Sequence, residues 1–184
     1  MAELLFRSWV TPDVATRVSS AGTQALVGSP IDRSSASALG QLGIDPTRHR
    51  ARQFEPWMAV EADLILTAEI AHRDLVMTEV PSMFRRTFTM KEFARLATHL
   101  RPGNYPDVIA EAAAIRGMHG AVLDDSDDMP DPYRDAINKA RSIAQQITDT
   151  VHATVSALGL WPHNHAIPVP TTVPAVAPRR PKPS

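Results

Sequence analysis

Few side chains here are of the types that do chemistry, and their spacing narrows what that chemistry is. Asp131-Pro132-Tyr133 sets a carboxyl and an aromatic ring two positions apart, just after the acidic stretch Asp124-Asp125-Ser126-Asp127-Asp128. On residue types alone Asp-Pro reads as a turn, because the proline ring pushes the residue before it toward extended backbone. The acidic stretch raises calcium. A helix-loop-helix calcium site needs Gly at its sixth position and Glu at its twelfth. Counted from Asp124 those positions hold Met129 and Asp135, so the pattern fails and the stretch reads as a solvated loop. His49-Arg50-Ala51-Arg52-Gln53 gathers cationic groups, which by themselves read as surface charge. His163 and His165 flank Asn164, but two imidazoles do not complete a metal shell. No metal and no cofactor are expected. The chain contains no cysteine, which excludes disulfides, thiolate ligation and a cysteine nucleophile from these residues.

The elements that must position these groups follow from periodicity and punctuation. Length, at 184 residues, suits one domain with a tail. Leu4, Leu5, Phe6 and Trp9 predict a helix from Ala2 to Val10. Val14–Ser20 is a strand candidate that ends at the Gly22 turn. Asp32 is placed to cap a helix running to Leu42 and closed by Gly43. Phe54–Val60 reads as a short helix, Leu64-Ile65-Leu66 as a buried parallel strand and Glu69–Met77 as a helix that Pro81 breaks. Arg86–Met90 is strand-like, Lys91–Leu100 helical and Val108–Gly117 an Ala-rich helix. Apolar residues every three or four positions from Ile137 to Leu158 predict a last helix, ended by Gly159. Alternating strands and helices argue a parallel sheet with helices on both faces.

Residues 162–184 hold seven of the sixteen prolines and end in a basic run. Such a composition cannot bury enough surface to offset its ordering entropy. The expected organisation is a domain over 1–160 and a Pro-rich disordered tail over 161–184. A net charge of −1 gives no field for nucleic acid, and no apolar run is long enough to span a membrane. With no signal-peptide pattern at the start, a cytoplasmic protein is expected.

Seven segments in order resemble the low-molecular-weight protein-tyrosine phosphatases, in an actinobacterial-type form. Met1-Ala2-Glu3 resembles the opening of the helix that follows that family's phosphate-binding loop. Ser20-Ala21-Gly22-Thr23 and Gly28-Ser29-Pro30-Ile31-Asp32 match its second strand and the loop after it. His49–Gln53 matches the segment before the third helix, and Ala62-Asp63-Leu64-Ile65-Leu66-Thr67 the next core strand. Arg85–Leu96 and Asp131-Pro132-Tyr133 complete the series. Thr67-Ala68-Glu69 stands where the family often has a Met-Asp pair.

The resemblance implies a three-layer α/β fold with a parallel sheet. It implies that Asp131 is the general acid that protonates the leaving phenolate, which requires a raised pKa. It makes Tyr133 the wall of the substrate pocket and Arg50 and Arg52 possible steering groups for phosphate. The implied partner of a complete member is a phosphotyrosine protein or a small phosphate monoester, attacked by a cysteine thiolate. That thiolate and its Cys-x5-Arg loop are missing here, together with the central first strand that carries them. The expectation is therefore a truncated or mis-started form, inactive as given. The alternative is a pseudophosphatase that acts as a partner- or phosphoprotein-binding module.

Overall fold

A computed structural model of the chain describes residues 1–10, 16–119, 125–130 and 137–161. In order, the elements are α1 (Ala2–Trp9), α2 (Arg33–Gln41), α3 (Pro56–Val60), β1 (Ile65–Thr67) and α4 (Ile70–Glu79). A 3₁₀ turn (Pro81–Arg86), β2 (Thr87–Thr89), α5 (Met90–Ala97), α6 (Tyr105–His119), a 3₁₀ turn (Asp125–Asp127) and α7 (Ile137–Ala157) follow. The strands β1 and β2 are parallel, with Ile65 opposite Thr87, Leu66 opposite Phe88 and Thr67 opposite Thr89. A parallel pair requires a crossover, and α4 supplies it.

The two-residue period of a strand decides the layering. Leu64 and Leu66 pack into the larger core, with Phe88, Leu4 and Leu5 of α1, Leu39 of α2, Phe93 and Leu96 of α5, and the stripe Ile143, Ile147, Val151, Val155 of α7. Ile65 points the other way, into a smaller core of Ala59, Val76, Val80 and Met83 under α3 and α4. Helices thus cover both faces of the sheet. At its centre the Phe88 and Phe93 rings meet edge to face at 5.2 Å.

Local signals act as their chemistry requires. Asp32 is the N-cap of α2, accepting from Ser34 N (2.9 Å) and Ser35 N (3.1 Å). Burial alone would raise its carboxyl pKa, but the hydrogen bonds from Ser34 and Ser35 outweigh it and hold the group below the ordinary aspartate value. Asp32→Ala is expected to cost about 1 kcal/mol at neutral pH. Because the folded pKa is depressed, the contribution is present above the unfolded pKa and is lost as pH falls through the folded one. Urea melts of parent and variant should therefore converge toward acid pH, and a constant gap would refute the assignment. Gly159 ends α7 at φ 64°, and a Cβ there would stand 2.7 Å from the Gly103 carbonyl oxygen. Gly159→Ala should lose about 2 kcal/mol from backbone strain and that clash; an unchanged denaturation midpoint would contradict it.

One expected element is different. Of the strand predicted over Val14–Ser20, the described residues 16–20 carry no strand, and the nearest ladder contact is a single parallel bridge between Gly22 and Gln53. The reason is where its polar groups go. Arg7 Nε donates to Val18 O at 3.0 Å, and Arg52 donates through Nε and Nη2 to Ser20 O at 3.2 and 2.8 Å. Arginines satisfy carbonyls that a neighbouring strand would otherwise take. At the other end, Trp161 packs on Trp9 and His152, with ring centroids 5.6 and 4.9 Å away.

Candidate functional site

In an open parallel sheet the carboxyl ends of the strands are where ligands bind. Three interactions bring the acidic loop to that end of β1. Met129 N donates to Ala68 O at 2.7 Å, one residue beyond the strand. Asp128 Oδ1 accepts from Ile70 N at 2.7 Å, capping α4 from outside the helix. That cap is needed, because Glu69 at the N-cap position makes no side-chain capping hydrogen bond. Asp127 is 1% exposed and pairs through both carboxylate oxygens with Arg95 of α5.

These contacts correct the reading of Asp127 and Asp128 as part of a solvated loop. Asp127 and Asp128 are structural anchors, each with a partner the local sequence does not reveal. They fix the base of the segment that leads to Asp131. Asp131 and Tyr133 themselves lie outside the described residues, as do His163, His165 and the rest of the predicted tail.

A second polar cluster surrounds the first turn of α1. The mostly buried Glu3 accepts from Ser20 Oγ at 2.5 Å, lies 3.4 Å from His49 Nδ1, and pairs with Arg7 at 3.2 Å. Ser20 in turn offers its carbonyl to Arg52. Glu3, Ser20, His49 and Arg52 thus tie the helix start to the Ser20–Thr23 and Thr47–Gln53 loops. Sequence reasoning singled out the segments but missed Glu3 as their hub. An acid in a first helical turn is a common helix-dipole signal, and nothing local marks it as shared. Of the two arginines read as phosphate-steering, Arg50 turns Nη1 onto Thr47 O and His49 O, at 2.7 and 2.6 Å. Arg52 holds Ser20 O. Both residues remain exposed.

A third cluster is buried and structural. Glu92 is 2% exposed and closes a capping box with Thr89 at the start of α5. Its Oε1 lies 2.9 Å from Arg116 Nε, a close ion contact rather than an aligned hydrogen bond. The Arg116 guanidinium lies 3.9 Å from the Phe88 ring centroid and donates to Phe84 O and Thr87 O at 3.1 and 2.5 Å. Burial pulls the Arg116 pKa down, Glu92 opposes that, and nearby Arg73 adds to it. Among the described residues no group of three acidic, histidine or cysteine side chains is arranged to hold a metal, and no helix is long and apolar enough to cross a membrane.

Fold and site together define an α/β domain whose acidic loop is docked at the carboxyl end of a parallel strand. Residues 1–102 match the family model described as low molecular weight phosphotyrosine protein phosphatase, and the chain belongs to that family. It is 37% identical over 92 residues to "Probable low molecular weight protein-tyrosine-phosphatase EpsP" of Ralstonia solanacearum, covering 50% of this chain and 61% of that protein. It is 34% identical over 71 residues to "Probable low molecular weight protein-tyrosine-phosphatase AmsI" of Erwinia amylovora, covering 39% of this chain and 49% of that one. The chain thus spans about half to three-fifths of the length of these relatives. The crystal structure of the Erwinia amylovora AmsI superposes with a TM-score of 0.61 at 20% identity, over 85% of this chain and 82% of that one. The YwlE arginine phosphatase from Geobacillus stearothermophilus gives 0.61 at 22%, over 83% and 79%. At such identities the two structures establish the fold.

Proposed function

We propose that this chain is the body of a phosphotyrosine protein phosphatase domain whose nucleophile enters on a further strand. In this reading Asp131 protonates the leaving phenolate, Tyr133 walls the pocket, and Arg50 and Arg52 steer the phosphate. A cysteine thiolate on a phosphate-binding loop attacks phosphorus to give a phosphocysteine, which water then hydrolyses. The observation that carries the proposal is the open side of β1. The strand pairs with β2 on one side, and among the described residues no strand pairs with the other. Its residues Ile65 and Leu66 are only partly buried, whereas all of β2 is buried. A parallel strand with an uncovered apolar edge is a slot for another strand. A loop leaving such a strand at its carboxyl end would emerge beside Ala68 and Met129.

As given, with no cysteine, the chain should not turn over a phosphate monoester. That absence also favours the second reading, a pseudophosphatase that binds a phosphoprotein through the surfaces that remain.

The deciding experiment compares hydrolysis of an aryl phosphate by the 184-residue chain and by the same chain extended upstream with a strand and a Cys-x5-Arg loop. No turnover is expected from the first and clear turnover from the second. The extension should also raise the Tm by many degrees, since a central strand adds two ladders of hydrogen bonds to a domain stable by only about 5–15 kcal/mol. Activity of the short chain above buffer, or a folded but inactive extended chain, would overturn the proposal. Phosphotyrosine and phosphoarginine peptides assayed side by side test the substrate class.

A further inference from the structure

The acidic residues are not spread evenly over this molecule. Residues 53–84 contain six of them (Glu55, Glu61, Asp63, Glu69, Asp74 and Glu79) against a single arginine, Arg73. Glu55, Asp63, Asp74 and Glu79 are exposed and make no ion pair among the described residues, while Glu61 and Glu69 pair with Arg17 and His72. The same stretch also exposes apolar side chains on α3 and α4. Trp57 and Val60, three positions apart on one face of α3, are 54% and 62% exposed, and Leu75 of α4 is 38% exposed. Leu75 and Glu79 line an open cavity of about 250 Å³ together with Thr23, Gln53, Phe54 and Pro56. A large apolar ring and two aliphatic side chains in a stretch rich in exposed carboxylates fit a ligand that is apolar and basic.

The chain carries such a ligand. All twenty acidic residues fall within residues 1–161, and residues 162–184 contain none. That segment contributes Arg179, Arg180 and Lys182, set among Val173, Val176 and five prolines between 168 and 181. Proline-rich segments lose little entropy on docking to aromatic surfaces. Length is sufficient. From Trp161 to Arg179 an extended segment reaches roughly 55 Å at about 3.1 Å per residue, and a domain of this size is about 40 Å across. Tethering also relaxes the affinity required. A linked segment is present at an effective concentration of order millimolar, so a millimolar contact is already about half filled.

We propose that the basic end of this proline-rich segment, around Arg179-Arg180-Pro181-Lys182, docks in cis on the α3–α4 face. Trp57 and Leu75 meet its prolines and aliphatic side chains, and Glu55 and Glu79 meet its cations. The inference does not rest on the catalytic reading, because neither Asp131 nor an added strand enters it.

The absence of cysteine gives a clean test. Ser184→Cys creates one attachment point for a nitroxide label in the full-length chain. Amide signals of residues 55–61 and 75–79 should fall to about half or less of their diamagnetic intensity, the value for a half-filled site. They should recover in about 0.5 M salt, where the screening length shrinks well below its low-salt value. They should also recover when Arg179→Glu, Arg180→Glu and Lys182→Glu are combined, a change that leaves 1–161 untouched. Glu79→Lys with Trp57→Ala, both at exposed positions, should do the same. Trypsin gives a second reading: proline follows Arg180 and Lys182, leaving Arg179–Arg180 as the cleavable bond, and its cleavage should be slower in the parent than in Glu55→Lys/Glu79→Lys. Broadening centred on another face would overturn the proposal. So would signals indifferent to the charge changes, or an effect that grows with protein concentration and so reports the tail of a second molecule.

Discussion

In the chain extended with a Cys-x5-Arg loop, Asp131→Ala is expected to slow hydrolysis of an aryl phosphate by about 10²- to 10⁴-fold, the usual worth of a positioned general acid. The loss should fall on kcat and depend on the leaving group. A poor leaving phenolate needs the proton and should suffer most, whereas a nitrophenolate with a low pKa should suffer least. The alkaline limb of the kcat profile in the parent should vanish in the variant, because that limb reports deprotonation of the acid. The acidic loop that precedes Asp131 in the chain is held by described residues. Its base is clamped by the Met129–Ala68 hydrogen bond, the Asp128 cap on α4 and the buried Asp127–Arg95 pair. Equal rates for variant and parent would remove Asp131 from the mechanism.

The largest expected effect on stability is at Glu92. Replacing it with Ala leaves Arg116, whose side chain is largely buried, without its counter-charge and removes half of the capping box at the start of α5. Breaking a buried pair from one side costs about 3–5 kcal/mol, because the desolvated charge that remains has no compensation. Against a typical domain stability of about 5–15 kcal/mol, Glu92→Ala should leave the domain partly unfolded at physiological temperature. Removing both charges with residues of similar volume, Glu92→Leu with Arg116→Met, should recover much of the loss. Urea denaturation of the two variants checks both statements. A cost below about 1 kcal/mol for the single change would mean the pair behaves like an exposed one.

The difference between what was legible in the chain and what was not follows from the distance between partners. Helix α2 was readable because Asp32 caps Ser34 and Ser35, two and three residues on. The stripe of α7 was readable because a helix presents every third or fourth residue to one side, and Gly159 because α7 must end where φ turns positive. Leu64-Ile65-Leu66 announced a parallel strand because such a strand is apolar toward both faces, and the two cores on either side of it are the reason. The family was legible for a related reason: its segments are short local motifs in a fixed order.

Residues 16–20 read as a strand from their composition, but a strand exists only where a neighbour accepts its hydrogen bonds, and here arginines take that place. The acidic loop read as solvated because charge counted along the chain looks exposed. Its partners, Arg95 and the amide of Ile70, lie 32 and 58 residues away in sequence. The hub at Glu3 was hidden for the same reason, since Ser20 is 17 residues distant. The sequence by itself determined most of the elements, which rest on short-range sterics and capping, and the family, which rests on short motifs in a fixed order. Only the tertiary structure decided which charges are buried, which carbonyls are paired and which strand edge has no neighbour among the described residues, because each depends on groups that the folded chain alone brings into contact.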